Sequence, residues 1–135
     1  MDFIEETRGE YKGFEYVVLF NALGHRCGYA GIPEGHELYK NKDSNILDTI
    51  ECHGGITFSD FAEWLGPKKW WIGFDYTHFG DALDIESIKK YFGEEAIKEA
   101  IGSNRVYIIY PEEHIWVLDE CIEECKHIID QICEV

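Results

Sequence analysis

The clearest pattern of apolar and polar positions lies at the end of the chain. From Leu118 to Cys133, apolar residues recur at intervals of three and four, and acidic residues fill the positions between them. This spacing predicts an amphipathic helix that lays its apolar face on a sheet and its acidic face in solvent. The same apolar stripe could also pair with the helix of a second copy, which leaves a homodimer open.

Shorter patterns earlier in the chain predict strands. Residues 15–21 and 26–32 are rich in β-branched and aromatic side chains, and a turn at Gly24 separates them, so they are expected to form a hairpin. Residues 49–53 alternate apolar and polar, which predicts a half-buried strand that resumes at 56–58 after two glycines.

The most strand-like run covers residues 70–76. Because successive side chains of a strand point to opposite faces, Trp70 is expected on one face of the sheet, and Trp71 and Asp75 on the other. A further short strand is predicted over 106–110, which is closed by a proline.

The remaining segments predict short helices. Asp84 can cap a helix over 85–92 that ends at Gly93, and 94–101 has the spacing of a second helix. This order of elements predicts an α+β fold, with a mostly antiparallel sheet packed by the C-terminal amphipathic helix and one or two short helices. The length favours a single domain over residues 1–135.

Charge narrows the classes of function. The chain has 27 acidic against 12 basic residues and a net charge of -15, so it should repel nucleic-acid phosphates and anionic lipid. An acidic surface can instead imitate nucleic acid and occupy a basic protein groove, or it can serve solubility alone. No apolar run reaches the roughly 18 residues of a membrane span, and the acidic start is unlike a secretory signal, which predicts a cytoplasmic protein.

The cysteines do not resemble a disulfide or metal set. There are five of them, an odd number, and no two have the C-x-x-C spacing. Cys121, Cys125 and Cys133 lie on the apolar stripe of the last segment, so they are expected to be small buried side chains in a reducing compartment.

The first candidate site is the segment HGGIT. His53 stands beside Gly54 and Gly55, which would let backbone amides converge on an anion, and Thr57 adds a hydroxyl. The alternative is a tight turn with a histidine on the surface.

The second candidate site follows the run at 70–76. Asp75, His78 and Asp81 form a D-x-x-H-x-x-D pattern in a loop, which can turn all three side chains toward one point. Together with His53 they offer two imidazoles and two carboxylates as catalytic groups. Such a set could bind a divalent metal or perform acid–base chemistry without one, and the cofactor is left open. The two aspartates could also simply cap the loop and the following helix.

Three more residues are candidates for ligand binding. Arg26 is one of few basic residues and could anchor a phosphate or carboxylate, and His36 lies in the same region of the chain. Trp71 could stack a base or sugar, because it shares a strand face with Asp75.

Three ordered motifs carry a resemblance: CGYAGIPEGH at 27–36, HGGITFS at 53–59 and WWIGFDYTHFGD at 70–81. They resemble a group of small phage and prophage proteins with the motifs CGYV-x-VP-x-GHP, HGG-L-T-[FY] and WW-x-GFD-x-x-H-x-GD, which also end in an amphipathic helix. The resemblance implies a phage gene product, made in the bacterial cytoplasm, that blunts a host defence. The chain departs from the group at Ala30, Glu37 and Asp60, none of which is a candidate catalytic residue.

Two functions are therefore expected as alternatives. In the first, a pocket of histidine, aspartate and tryptophan side chains binds, or as a hydrolase cleaves, a small phosphorylated ligand such as a nucleotide signal. In the second, the acidic chain is an inhibitor that blocks the basic, nucleic-acid-binding surface of a host defence protein. A structural or assembly role within the virion or the replication apparatus is a third hypothesis, suggested by the small size and the phage resemblance.

Overall fold

A computed structural model describes residues 2–102 and 107–135, and an antiparallel sheet of five strands lies at its centre. The strands are β1 (Phe3–Tyr11), β2 (Phe14–Asn21), β3 (Arg26–Ile32), β4 (Phe58–Ala62) and β5 (Gly66–Asp75). Their order across the sheet is β1-β2-β3-β5-β4, and each neighbouring pair is antiparallel. The predicted hairpin is the pair β2–β3.

The helices of the described residues are short except for the last one. They are α1 (Ser44–Leu47), α2 (Ile85–Phe92), α3 (Glu94–Ile101) and α4 (Leu118–Ile132). As predicted, the Asp84 side chain accepts a hydrogen bond from the backbone N–H of Ser87 at the start of α2. Gly93 ends α2 with a φ of 90°, a conformation that glycine adopts without strain. The fold is α+β, as the sequence predicts.

The two faces of the sheet are covered differently. Helix α4 packs across one face, mainly on β3 and β2, and its buried side chains join Trp70 and Ile72 in the main core. On the opposite face, Trp71 lies in a second cluster with side chains of β2 and of the turn between β4 and β5. The predicted alternation of Trp70 and Trp71 is therefore confirmed. The apolar face of α4 packs on the sheet of its own chain.

Some predicted elements are absent or different. Residues 49–53 form turns and irregular backbone rather than a strand, and 56–57 precede β4 without belonging to it. Residues 107–110 form no strand, and Val106 lies outside the described residues. Strand β1 has no counterpart among the predicted elements.

The five cysteines are free thiols in the structure. Cys121 and Cys125 are fully buried on α4, whereas Cys133 is exposed beyond the last turn of the helix, so the prediction of burial is wrong for Cys133. Among residues 2–102 and 107–135, no helix has both the length and the apolar character that crossing a membrane requires.

Gly28 of β3 lets α4 lie close to the sheet. A Cβ at this position would stand 2.5 Å from the Phe74 ring and 2.7 Å from the Cys125 sulfur. We expect Gly28→Ala to lower the free energy of unfolding by about 1–3 kcal/mol, because the extra methyl group overpacks a dense core. Urea denaturation measures this change. An unfolding midpoint equal to that of the wild type would show that α4 can move away from the sheet without a loss of stability.

Candidate functional site

The candidate site lies where β5 ends at Asp75 and the chain enters the loop before α2. This loop is tied to the segment before α4 through two backbone hydrogen bonds. The His114 N–H donates to the Gly80 carbonyl at 2.9 Å, and the Ala82 N–H donates to the His114 carbonyl at 2.8 Å. The HGG segment packs against the same loop, so three stretches that are distant in sequence meet here.

Asp81 is the centre of the cluster, and its side chain is only 2% exposed. Its Oδ2 accepts hydrogen bonds from the His53 ring Nε2 at 2.9 Å and from the backbone N–H of His78 at 2.9 Å. Its Oδ1 accepts a third, of 2.8 Å, from the indole N–H of Trp116. A buried carboxylate is tolerated only with such partners, and these three also fix its orientation.

His78 lies on the solvent side of Asp81. Its Nδ1 is 3.7 Å from an oxygen of Asp75 and 3.7 Å from Oδ2 of Asp81. The rings of His53 and His78 are 5.7 Å apart between centroids and cross at 73°. One ligand atom each from His53, His78 and Asp81 can be chosen so that all three lie within 4.8 Å of one another.

Asp75 forms the outer edge of the cluster. Burial raises the pKa of its carboxyl, but hydrogen bonds from the Thr77 and Thr57 side chains and the nearby His78 outweigh burial, so the pKa lies below its usual value. The Thr57 hydroxyl donates to Oδ2 of Asp75 at 2.9 Å. Asp75 is therefore ionised at neutral pH, and the hydroxyl of Thr57 is a hydrogen-bond donor to this carboxylate.

The two glycines of the HGG segment have different surroundings. Gly54 has a φ of 70°, and a Cβ on it would overlap the His78 ring. Gly55 has a φ of 80°, and a Cβ on it would meet nothing within 4 Å. The sequence predicts that this backbone approaches an anion, whereas in the structure the group that lies against Gly54 is the His78 ring.

An aromatic wall supports the buried side of the cluster. The rings of Tyr76 and Trp116 stack with centroids 5.1 Å apart and planes 12° from parallel. The His53 ring lies 4.8 Å from each of them. The sequence patterns gave no sign of Trp116, which stands in an irregular segment without a motif.

A third imidazole lies close to the cluster. Burial lowers the pKa of His25, although the backbone of Tyr76 and the charges of Asp81 and Asp75 act in the opposite direction. Its Nδ1 is buried and has no hydrogen-bond partner among the described residues. The turn pattern at Gly24 places His25 in the hairpin but does not predict that its ring lies close to the cluster.

Arg26 does not face the cluster. Its side chain is 4% exposed, and its guanidinium donates to Glu6 at 2.7 Å and to Asp84 at 2.9 Å. It also donates to the Trp116 carbonyl and to the Ser87 hydroxyl. These partners occupy the donors of Arg26, which corrects the expectation that it anchors a ligand.

Trp71 and His36 are also placed elsewhere. Trp71 is fully buried on the face of the sheet opposite α4, and its indole N–H donates to the Gly66 carbonyl at 3.1 Å, so no ring face is open for stacking. His36 accepts the Leu38 N–H at Nδ1, and its Nε2 lies 2.9 Å from the Ile132 carbonyl at the end of α4. Both residues support the fold, which corrects their assignment to ligand binding.

The cluster has the chemistry of a cation site. Two imidazole nitrogens and a carboxylate oxygen are the donors that zinc and similar divalent ions prefer. In the described part of the chain, no lysine or arginine forms an ion pair with Asp75 or Asp81, so their negative charge is not compensated by a basic side chain. No protein-family model, curated protein or solved structure matches the chain, and the resemblance to the phage group stays a prediction.

Proposed function

We propose that His53, His78 and Asp81 bind a divalent transition-metal ion, and that the ion holds a small phosphorylated ligand, such as a nucleotide signal, for binding or hydrolysis. The observation that carries the proposal is the spacing of the donor atoms. Ligands about 2.1 Å from a tetrahedral ion stand about 3.4 Å from one another. Asp81 Oδ2 lies 2.9 Å from His53 Nε2 and 3.7 Å from His78 Nδ1, on either side of that value, and one donor atom from each residue lies within 4.8 Å of the others.

The contacts around the donors support the same proposal. The Trp116 indole holds Oδ1 of Asp81, and the His78 N–H holds Oδ2, so the carboxylate is oriented before any ion arrives. The ion would take the place of the hydrogen between His53 Nε2 and Asp81, which a neutral imidazole can carry on Nδ1 instead.

Charge explains why a phosphorylated ligand would need the ion. The chain carries a net charge of -15, and the ionised Asp75 stands at the rim of the cluster. A phosphate would be repelled here, and Arg26 is already engaged by Glu6 and Asp84. When bound, the ion would supply the positive charge that attracts the phosphate and would act as a Lewis acid for an attacking water.

Calorimetric titration with Zn²⁺ and with Mn²⁺ tests the proposal. We expect the wild type to bind one ion per chain, and His53→Ala to weaken the affinity by about 100-fold or more, because a ligand is lost. His127→Ala is the matched control, since His127 is exposed on the outer face of α4 and should leave the affinity unchanged. Absence of saturable binding of both ions, or binding that survives His53→Ala and His78→Ala together, contradicts the proposal.

Ligand binding can be screened on the metal-loaded protein by thermal unfolding. A nucleotide at 100 times its dissociation constant should add about 2.7 kcal/mol to the free energy of unfolding. The wild type without metal serves as the control and should show no such stabilisation, because the phosphate is then repelled.

The outer face of α4 favours the acidic inhibitor as a second candidate function. Asp119 and Glu123 are exposed there, on the side of the helix away from the sheet. Such a face can dock on a basic protein surface. A salt-sensitive complex with a basic protein that survives His53→Ala and His78→Ala together would favour this function over the metal site.

A further inference from the structure

A cavity of about 340 Å³ opens directly beside the loop that carries His78 and Asp81. Phe79 and Gly80 of this loop form one wall, and a second turn forms the other with Tyr110, Glu112 and Glu113. Phe79 stands in the sequence between His78 and Asp81, two of the three proposed metal ligands, so its Cα is about 3.8 Å from that of His78. One small molecule could therefore place a ligand atom on the ion and an aromatic ring in this cavity.

The backbone on both sides of the cavity is held in place by hydrogen bonds. The Tyr110 N–H donates to the Glu113 carboxylate at 2.9 Å, and the Glu113 N–H donates back to the Tyr110 carbonyl at 3.0 Å, which closes the second turn. The hydrogen bond from His114 to Gly80 then ties this turn to the loop of Phe79. Backbone hydrogen bonding between the loop of Phe79 and the turn of Tyr110 therefore sets the shape of the cavity.

The side chains of the cavity combine aromatic rings with acceptors. The Phe79 side chain is fully exposed and that of Tyr110 is 57% exposed, although large aromatic side chains are usually well buried. Exposed rings of this kind stack on the flat face of a base. Glu112 is exposed in the same wall, and its carboxylate can accept hydrogen bonds from an amino group on a base.

We propose that this cavity binds the aromatic, amino-bearing base of a nucleotide whose phosphate is held by the ion. The inference rests on the proposed function and specifies its ligand: a phosphorylated compound with an aminated ring is preferred over a simple sugar phosphate. The acidic wall adds selectivity, because a carbonyl oxygen in place of the amino group would set an acceptor against the Glu112 carboxylate at that position.

The experiment compares three probes on the Mn²⁺-loaded protein by calorimetry: AMP, IMP and ribose 5-phosphate. We expect AMP to bind about tenfold or more tightly than ribose 5-phosphate because its ring stacks, and IMP to lie between them. Phe79→Ala should bring AMP to the level of ribose 5-phosphate, and Glu112→Gln should reduce the difference between AMP and IMP. Phe61→Ala, which removes an exposed ring on β4, is the control and should preserve the order of the probes.

The outcomes separate this inference from the function on which it rests. If Mn²⁺ binds but AMP and ribose 5-phosphate have equal affinities, or if Phe79→Ala leaves the preference for AMP intact, the base-binding cavity is refuted while the metal site stands. If the wild type binds neither Mn²⁺ nor Zn²⁺, the proposed function and this inference fail together.

Discussion

Arg26→Met should lower the free energy of unfolding by about 3–5 kcal/mol, because it leaves buried carboxylates without their counter-charge. The Arg26 side chain is 4% exposed and that of its partner Glu6 is 3% exposed, so water cannot replace the lost ion pair. Asp84 loses a partner as well. Burial raises the pKa of Asp84, but hydrogen bonds from Ser87 and from Arg26 outweigh it and keep its pKa below the usual value. Urea denaturation at pH 7 measures the loss.

A second substitution tests the cause of the loss. Glu6→Gln in the Arg26→Met background removes one stranded charge, and the double variant should be more stable than Arg26→Met alone. Lys98→Met is the surface control, because Lys98 pairs with Glu95 in solvent and should change the stability by less than about 0.5 kcal/mol. If Arg26→Met costs no more than Lys98→Met, the ion pair contributes little to the fold.

The parts of the fold that the sequence predicts are those with a repeated pattern. Helix α4 follows its apolar spacing over four turns, and the run at 70–76 alternates across the sheet. Strand β1 lacks such a pattern, because a bulge between Glu5 and Thr7 shifts its register and Glu6 turns inward to bind Arg26. A charged residue that forms a buried ion pair cannot be distinguished, in the sequence alone, from one that faces water.

Residues 49–53 have the pattern of a strand but do not form one. Ile50 is buried in the main core, yet it is held there by a turn after α1. Apolar positions alternate in this segment for packing reasons alone, so periodicity cannot distinguish it from a strand. The segment 107–110 likewise has the composition of a strand, but its backbone pairs with no strand among the described residues.

The candidate site divides along similar lines. Local motifs predict His53, His78 and Asp81 as site residues, and the structure brings them together. Trp116 lies 35 positions from Asp81 in a segment without any pattern, so only the three-dimensional fold reveals their hydrogen bond. The sequence predicts a ligand anchor at Arg26 for the same reason, since the partners that occupy its guanidinium come from far along the chain.

Gly54→Ala should weaken the proposed metal site by about tenfold to 100-fold, the range found when groups that position metal ligands are changed. A methyl group at this position would occupy the space of the His78 ring and drive that ring away from Asp81. The substitution should also lower the free energy of unfolding by about 1–2 kcal/mol, because alanine resists the left-handed backbone at a φ of 70°. Calorimetric titration with Zn²⁺ and urea denaturation measure the two effects.

Gly55→Ala separates the two causes. Gly55 has a φ of 80°, so alanine there carries the same backbone penalty, but its methyl group would point into open space. We expect Gly55→Ala to lose a similar amount of stability and to keep the Zn²⁺ affinity of the wild type. Equal loss of Zn²⁺ affinity in both variants would mean that the HGG backbone, and not the position of the His78 ring, controls the site.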